Sequence, residues 1–342
     1  MKRLWIIGSY LIAAVSLGMT ENPYRAGSFP PRKLAFVRGN NIYVCDAGGT
    51  NQRLIIEDGQ NPSWSPDKSQ IAFVRRNNIW VAKADGSSQH PLTSQWKERE
   101  TKTYSVPDVS ISWHPKNGSM VFSHPEEFKI ERVDGTAGII ETRDASSRVI
   151  TAYSIFEVHA AGSEPVKATV RYDLFQRGTT FFFANHAHPS WSPSGKQLAF
   201  TRNGDIWIAK IKNASQGEPP IGWDTKRLAA VASYDEATYR ASGTNRGATR
   251  LAWHPDERLL AYELSRLGGS GFNEIHLLDL ATGKDTILVK DARGPHFSPD
   301  GKHVLYWTYA EDQCGKGICI CTVSSDGKEK RKLMSDGKDP AW

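Results

Sequence analysis

NPSWSPDKSQIAFV at residues 61–74 returns in altered form as HPSWSPSGKQLAFT at 188–201, LAWHPDERLLAYE at 251–263 and GPHFSPDGKHVLYW at 294–307. A diverged copy, ISWHPKNGSMVFS, stands at 111–123. Each copy reads as a strand, a proline-led tight turn and a second strand. A second apolar alternation follows each time: IYVCDAGG from Ile42, IWVAKADG from Ile79, IFEVHAAG from Ile155, IWIAKIKN from Ile206, IHLLDLATG from Ile275 and ICICTVSSDG from Ile318. Period-two alternation closed by Asp-Gly, Gly-Gly or Thr-Gly predicts a third strand and a hairpin turn, and segments such as QRLII or HPLT supply a fourth. Four antiparallel strands therefore recur, at intervals of about 35 to 60 residues.

A lone four-stranded unit cannot bury both of its faces, so neighbours must stack, and a closed ring leaves no unstacked end. Six units result only if the two ends of the chain cooperate. Residues 33–56 supply LAFV, IYVC and RLII without a leading P-x-W strand, and Asp339-Pro340-Ala341-Trp342 is that missing strand. The expectation is an all-β, six-bladed β-propeller with four-stranded antiparallel blades, its ring closed by the C-terminal strand joining the N-terminal blade. The blades are predicted at 33–56 plus 339–342, 60–93, 108–170, 188–231, 249–289 and 294–334.

The wider composition agrees. Gly (29), Pro (18) and Trp (11) are plentiful, and the apolar residues come in short bursts rather than long amphipathic stretches, which is an all-β profile. The repeat PxWSPDG(K/R), followed by a (L/I)A(F/Y) strand and an I(Y/W)V strand, resembles the TolB-type propeller repeat, also found in the propeller domains of prolyl-oligopeptidase-like peptidases. The resemblance covers residues 33–342. It implies a fold more firmly than a function, for two reasons. TolB carries a further α/β domain before its propeller, whereas only residues 19–32 precede the first blade here. The peptidases carry a hydrolase domain, and residues 33–342 are taken up by blades.

The N-terminus reads as a signal peptide over residues 1–18: Lys2 and Arg3, an uncharged apolar stretch, then small residues at Ala14, Ser16 and Gly18. An apolar run of about 15 residues falls short of the roughly 20 that span a bilayer. The expectation is an exported chain, periplasmic or secreted, with no stable membrane insertion after cleavage. No cysteine follows the apolar run, so lipid attachment is not expected. Loss of Lys2 and Arg3 lowers the formal charge from +6 to about +4, and the remaining charges are interspersed in sign, which does not imply nucleic acid. Of the four cysteines, Cys314 is expected to pair with Cys319 or Cys321 across one hairpin tip, or else all four are small apolar fillers.

In such blades the first-to-second and third-to-fourth turns share one face of the disc. In this sequence they are uniformly short: SPDK, SPSGK, HPDER, SPDGK, ADGSS, ATGK. The other face collects the irregular length, at 94–108, 124–154, 171–188, 232–249, 265–274 and 309–317. Long loops on a rigid scaffold are where binding residues sit, so recognition is expected on this decorated face. Candidate binding residues are His186, His188, Tyr234, Asp235, Glu236, Tyr239, Arg240 and Arg246, on segments leading into inner strands. His186 and His188, two apart on an extended segment, would point to one side, yet a zinc site needs about three protein ligands. Trp96 and Trp223, outside the repeat positions, are candidates for stacking on a ligand.

No cofactor is expected, and no catalytic residue is assigned. Ser65 to Lys68 has a Ser-x-x-Lys spacing but is the repeat's own turn, and Gly268-Gly269-Ser270-Gly271 lacks the spacing of a nucleophile elbow. The chain reads as a monomeric scaffold for a protein or cell-envelope component. The alternative is a propeller enzyme, a metal-dependent lyase or hydrolase acting on glycans at the channel mouth.

Overall fold

In the computed structural model, the described residues are 33–94, 109–133, 136–140, 148–162, 166–167, 174–177, 180–183, 186–210, 224–229, 245–267 and 273–342. They form six four-stranded antiparallel blades. Blade 1 runs Lys338–Ala341, Lys33–Arg38, Asn41–Asp46, Arg53–Ile56 from the axis outward, and blade 2 runs Gln60–Trp64, Gln70–Arg75, Asn78–Lys83, His90–Pro91. Blade 3 comprises Ile111–Trp113, Ser119–Val133, Arg148–His159 and Val166–Lys167; blade 4, His186–Trp191, Gln197–Arg202, Asp205–Lys210 and Asp224–Ala229. Blade 5 comprises Asn245–Trp253, Leu259–Leu267, Glu274–Asp279 and Asp285–Lys290; blade 6, Ala292–Phe297, His303–Thr308, Cys319–Ser324 and Lys330–Ser335. The ring is closed by the pairing of Ala341 with Ala35 and of Lys338 with Val37. Among the described residues no helix is long and apolar enough to cross a membrane.

The strand alternation explains the packing directly. Each second strand lies between two neighbouring blades and is apolar on both faces, as sheets covered on both sides must be. In blade 1, Leu34 and Phe36 join a core with Leu305, Trp307 and Ile320 of blade 6. Ala35 and Val37 join Trp64, Ile71 and Phe73 of blade 2. Burying each large side chain in these seams contributes about 1.5–3 kcal/mol. The outer strands are exposed and carry charge, as in Lys330–Ser335, which blunts their free edges against pairing with other chains.

Polar contacts repeat across the seams as well. Trp113 Nε1 donates to the Ser63 carbonyl of the preceding blade at 3.0 Å, and Trp253 Nε1 to that of Ser190 at 2.9 Å. Arg75 stacks on Trp80 at 4.8 Å while its Nε donates to the Asp58 carbonyl at 2.9 Å, and Arg38 repeats the reach onto Asp336 at 3.2 Å. Where two repeats replace the turn serine by histidine, the imidazole spans the seam: His114 Nε2 lies 3.3 Å from the Gly195 carbonyl and His254 Nε2 3.1 Å from that of Gly301.

The third-to-fourth turns of blades 1, 2 and 6 also abut their predecessors, but the turns of that face are not uniformly short as expected, since residues 211–223 join the third and fourth strands of blade 4. Gly86 (φ +89°) sits so close to Ile55 in the outer strand of blade 1 that a Cβ there would overlap the Ile55 carbonyl. Gly86→Ala therefore combines a left-handed backbone with a backbone clash, and it is expected to lower stability by about 2 kcal/mol or more. A urea melt with an unshifted midpoint would contradict the seam.

Some of the length expected to be irregular is regular. The second and third strands of blade 3 stay paired beyond the blade, from Ser123↔Ile155 out to Ile130↔Arg148. Thr136–Ile140 folds back on Lys129–Val133 as a further edge strand. The reason lies in the sequence, where FKIERV and RVIT are rich in the aromatic and β-branched residues that favour strands. Likewise Leu174–Arg177 and Thr180–Phe183 form a hairpin, and the first two strands of blade 5 continue to Asn245↔Leu267.

Candidate functional site

The six inner strands surround an axial cavity of about 350 Å³. Every inner strand starts at the decorated face and ends at the face of short turns, so the strand beginnings ring one mouth. One residue near each beginning forms that ring: Asn61, Ser110, His188, Arg250, Gly294 and Asp339. Five of them adopt left-handed backbone, with φ between 46° and 60°, and the strand register slips just beyond each. Such a bulge re-aims side chains, which is why bulges gather at barrel rims and functional sites. Below this ring the wall presents Ser63, Ser112, Ser190 and His296, and towards the far mouth come the tryptophans and Pro66, Pro115 and Pro193.

One side of the mouth is a salt-bridged network. Glu263, 3% exposed, accepts from the Gly294 N–H at 2.9 Å, the Ser265 hydroxyl at 2.9 Å and Asn273 Nδ2 at 2.5 Å. Arg250 stands between it and Asp339, with Nε 3.9 Å from Glu263 and Nη1 donating to Asp339 Oδ1 at 2.6 Å. Blades 5, 6 and 1 are thus tied at the channel by two carboxylates and one guanidinium. His296 projects into the water of the channel with protein on every side. Desolvation by the surrounding channel wall lowers its pKa, helped by Arg250, opposed by Asp339 and helped again by Lys68.

The left-handed backbone at His188 and the register slip beyond Ala187 interrupt the regular alternation of this segment, and the side chain of His186 lies outside the described part of the structure. His188 lies 3.0 Å through Nδ1 from the Ser110 hydroxyl, bridging blades 4 and 3. His186 is placed by its backbone opposite Arg202, and Arg246 opposite Arg266. Tyr234, Asp235, Glu236, Tyr239 and Arg240 lie outside the described residues, as do Trp96 and Trp223. Among the described residues no group of three or more His, Cys, Asp or Glu gathers as a metal site would require.

The residues that do meet at the channel are Arg250, Asp339, Glu263 and His296, none of them singled out above. For Arg250 and Asp339 the signal was present: the position three before the final aromatic of each first strand varies as Asn, Ser, His, Arg, Gly and Asp while the aromatic repeats.

A tyrosine–aspartate–histidine grouping in blade 5 serves packing. Tyr262 donates to Asp285 Oδ2 at 2.6 Å, and His276 Nδ1 lies 3.2 Å from the same oxygen. Burial lowers the His276 pKa, but the Asp285 and Glu274 carboxylates outweigh it and raise the value. The grouping pins an outer strand to its blade away from the channel. Cys314 and Cys319 form a disulfide, while Cys321 is a buried thiol 3.4 Å from Cys319 Sγ whose pKa burial pushes up to about 11.

These features define a six-bladed propeller with an asymmetric, polar-mouthed channel. The chain superposes on TolB from Acinetobacter baumannii with TM-score 0.60 at 18% identity, over 91% of this chain and 66% of that one. It matches a putative TolB from Agrobacterium tumefaciens with TM-score 0.53 at 14% identity, over 90% of each. A chain of a nidogen–laminin complex gives 0.54 at 10% identity, over 90% of this chain and 97% of that one. The fold is that of a TolB-like six-bladed propeller. The chain spans just under two thirds of the Acinetobacter protein. Residues 53–108 match the family model described as the dipeptidyl peptidase IV N-terminal region. No curated protein matches in sequence.

Proposed function

We propose that this protein is an exported, monomeric propeller scaffold that binds a protein or cell-envelope component through its decorated face. The observation that carries the reading is that the paired strand extensions lie on one rim. The extended pairing of Ser119–Val133 with Arg148–His159 in blade 3 and the lengthened strands of blade 5 emerge on the same rim, while the opposite rim carries the short repeat turns and one long connection, residues 211–223 of blade 4. A paired arm offers a partner a backbone edge at little ordering cost, because its strands are already fixed. The similarity to TolB and to a chain of a nidogen–laminin complex fits a propeller used as a scaffold, and export rests on the Lys2–Gly18 segment.

Site-specific photo-crosslinking tests this reading. A benzophenone side chain at Lys129, on the arm, is expected to give discrete adducts in an envelope fraction. The same group at Asp67 or Asp300, in turns of the plain face, is expected to give none. Equal adducts from both rims would overturn it.

A further inference from the structure

Three of the chain's four cysteines fall within residues 314–321, and the fold of blade 6 brings their sulfurs together. Cys314 ends the short helix Glu311–Cys314 in the connection between the second and third strands, and its disulfide runs to Cys319, the first residue of the third strand. Cys321 stands two residues further along that strand, so its side chain faces the same side as that of Cys319. Its Sγ lies 3.4 Å from Cys319 Sγ. A nucleophile within about 3.5 Å of the atom it attacks is already in a near-attack position. Strand geometry also admits the bond that such an attack would form: residues two apart have Cα atoms about 6.4–6.8 Å from each other, inside the roughly 4.4–6.8 Å that a disulfide spans.

The surroundings act on both the nucleophile and the leaving group. Burial disfavours the Cys321 thiolate and pushes its pKa up to about 11, while the Tyr306 hydroxyl and the Lys332 ammonium favour it; Asp312 adds to the effect of burial and Lys330 opposes it. Tyr306 and Lys332 are the cross-strand partners of Cys321 on its two sides. Lys332 Nζ also donates to the Cys314 carbonyl at 2.8 Å. A positive charge therefore stands beside the residue that must leave as a thiolate.

We propose that Cys314, Cys319 and Cys321 form a thiol–disulfide exchange site, in which Cys321 attacks Cys319 and releases Cys314. The Cys321 thiol gives up its proton, and the thiolate lone pair forms a bond to Cys319 Sγ as the Cys314–Cys319 bond breaks. The electron pair of that bond leaves on Cys314 Sγ, which takes up a proton. One thiol and one disulfide stand on each side of the step, so it needs no external oxidant or reductant. The exchange carries the reactive thiol from a position that is 1% exposed to a connection whose Glu311, Gly315 and Lys316 are exposed. The disulfide then lies within a single strand, and the connection on the decorated face is no longer stapled to blade 6. Cys314 becomes the point at which a soft electrophile attaches to the protein. The site stands independently of any protein bound at the decorated face.

The test is labelling of the full-length, folded protein with iodoacetamide at pH 8, followed by an acid quench, capping of the remaining thiols with N-ethylmaleimide under denaturing conditions, and digestion with trypsin without reduction. Cleavage after Lys316 separates residues 303–316, with Cys314, from residues 317–328, with Cys319 and Cys321. The carbamidomethyl group is expected on Cys314, with Cys319 and Cys321 joined inside the second peptide. The reagent thus marks the cysteine held in the disulfide and spares the buried thiol. Labelling of Cys314 should be lost in Cys321→Ser, unchanged in Cys45→Ser and independent of protein concentration. The last two leave the site intact, so they separate an internal exchange from scrambling between molecules even if Cys321→Ser unfolds. A carbamidomethyl group on Cys321 with the Cys314–Cys319 link intact, no such group in either peptide, or labelling of Cys314 that persists in folded Cys321→Ser or grows with protein concentration overturns the proposal.

Discussion

Truncation after Gly337 is expected to lower the unfolding free energy by at least the roughly 3–5 kcal/mol that removal of one large buried aromatic costs. The residues removed form the inner strand of blade 1, paired to Ala35 and Val37. Trp342, 8% exposed, packs with Leu34, Phe36, Leu305 and Trp307, and Ala341 packs with Val37 and Trp64 on the opposite face. Both seams of blade 1 would lose their axial end, and Val37 and Ala35 would face the channel on an unpaired edge. The backbone oxygen of Trp342 also holds Lys68 Nζ at 2.6 Å, a link between blades 1 and 2. Domains of this kind have a net stability of only about 5–15 kcal/mol, so the ring should open cooperatively rather than fray. Chemical denaturation of the truncated protein and of Trp342→Ala measures this, and an unchanged midpoint in both would mean that the ring is not held at this seam.

The fold was legible because its cause is local and repeated. Each P-x-W strand, proline turn and LAFV-type strand carries its own register, and six copies of one pattern outweigh the divergence of any one. Closure was legible for the same reason, since residues 339–342 repeat the motif missing before Lys33. The channel network was not. Arg250 and Asp339 are 89 positions apart, and only the curvature of the ring brings blade 5 to blade 1 across blade 6. Alternation predicts sidedness only in regular strand, and a left-handed residue at His188 interrupts it. The arm was misjudged through length. A long insertion looks like a loop until residues 125–130 are set strand against strand with residues 148–153.

Replacing Arg250 by Met is expected to destabilise the protein by about 3–5 kcal/mol, the range for removing one partner of a buried ion pair. The argument turns on which group is left behind. Asp339 lines the open channel and can be rehydrated once its guanidinium is gone. Glu263 cannot, because it is 3% exposed. It keeps the Gly294 N–H, the Ser265 hydroxyl and Asn273, but it loses its countercharge and leaves an ionised carboxylate among neutral donors. Methionine preserves the aliphatic stem and tolerates the left-handed backbone at 250 (φ 48°) no worse than arginine does, so strain and packing are nearly matched between the two proteins. A double-mutant cycle with Glu263→Gln isolates the electrostatic part. Gln keeps an acceptor for the Gly294 N–H and carries no charge, so the double variant should be more stable than the sum of the single changes by about 1–3 kcal/mol, as for residues sharing one network. Additive costs would show that Arg250 acts at the mouth through its stem alone, and that blades 5, 6 and 1 are held together there by packing rather than by charge.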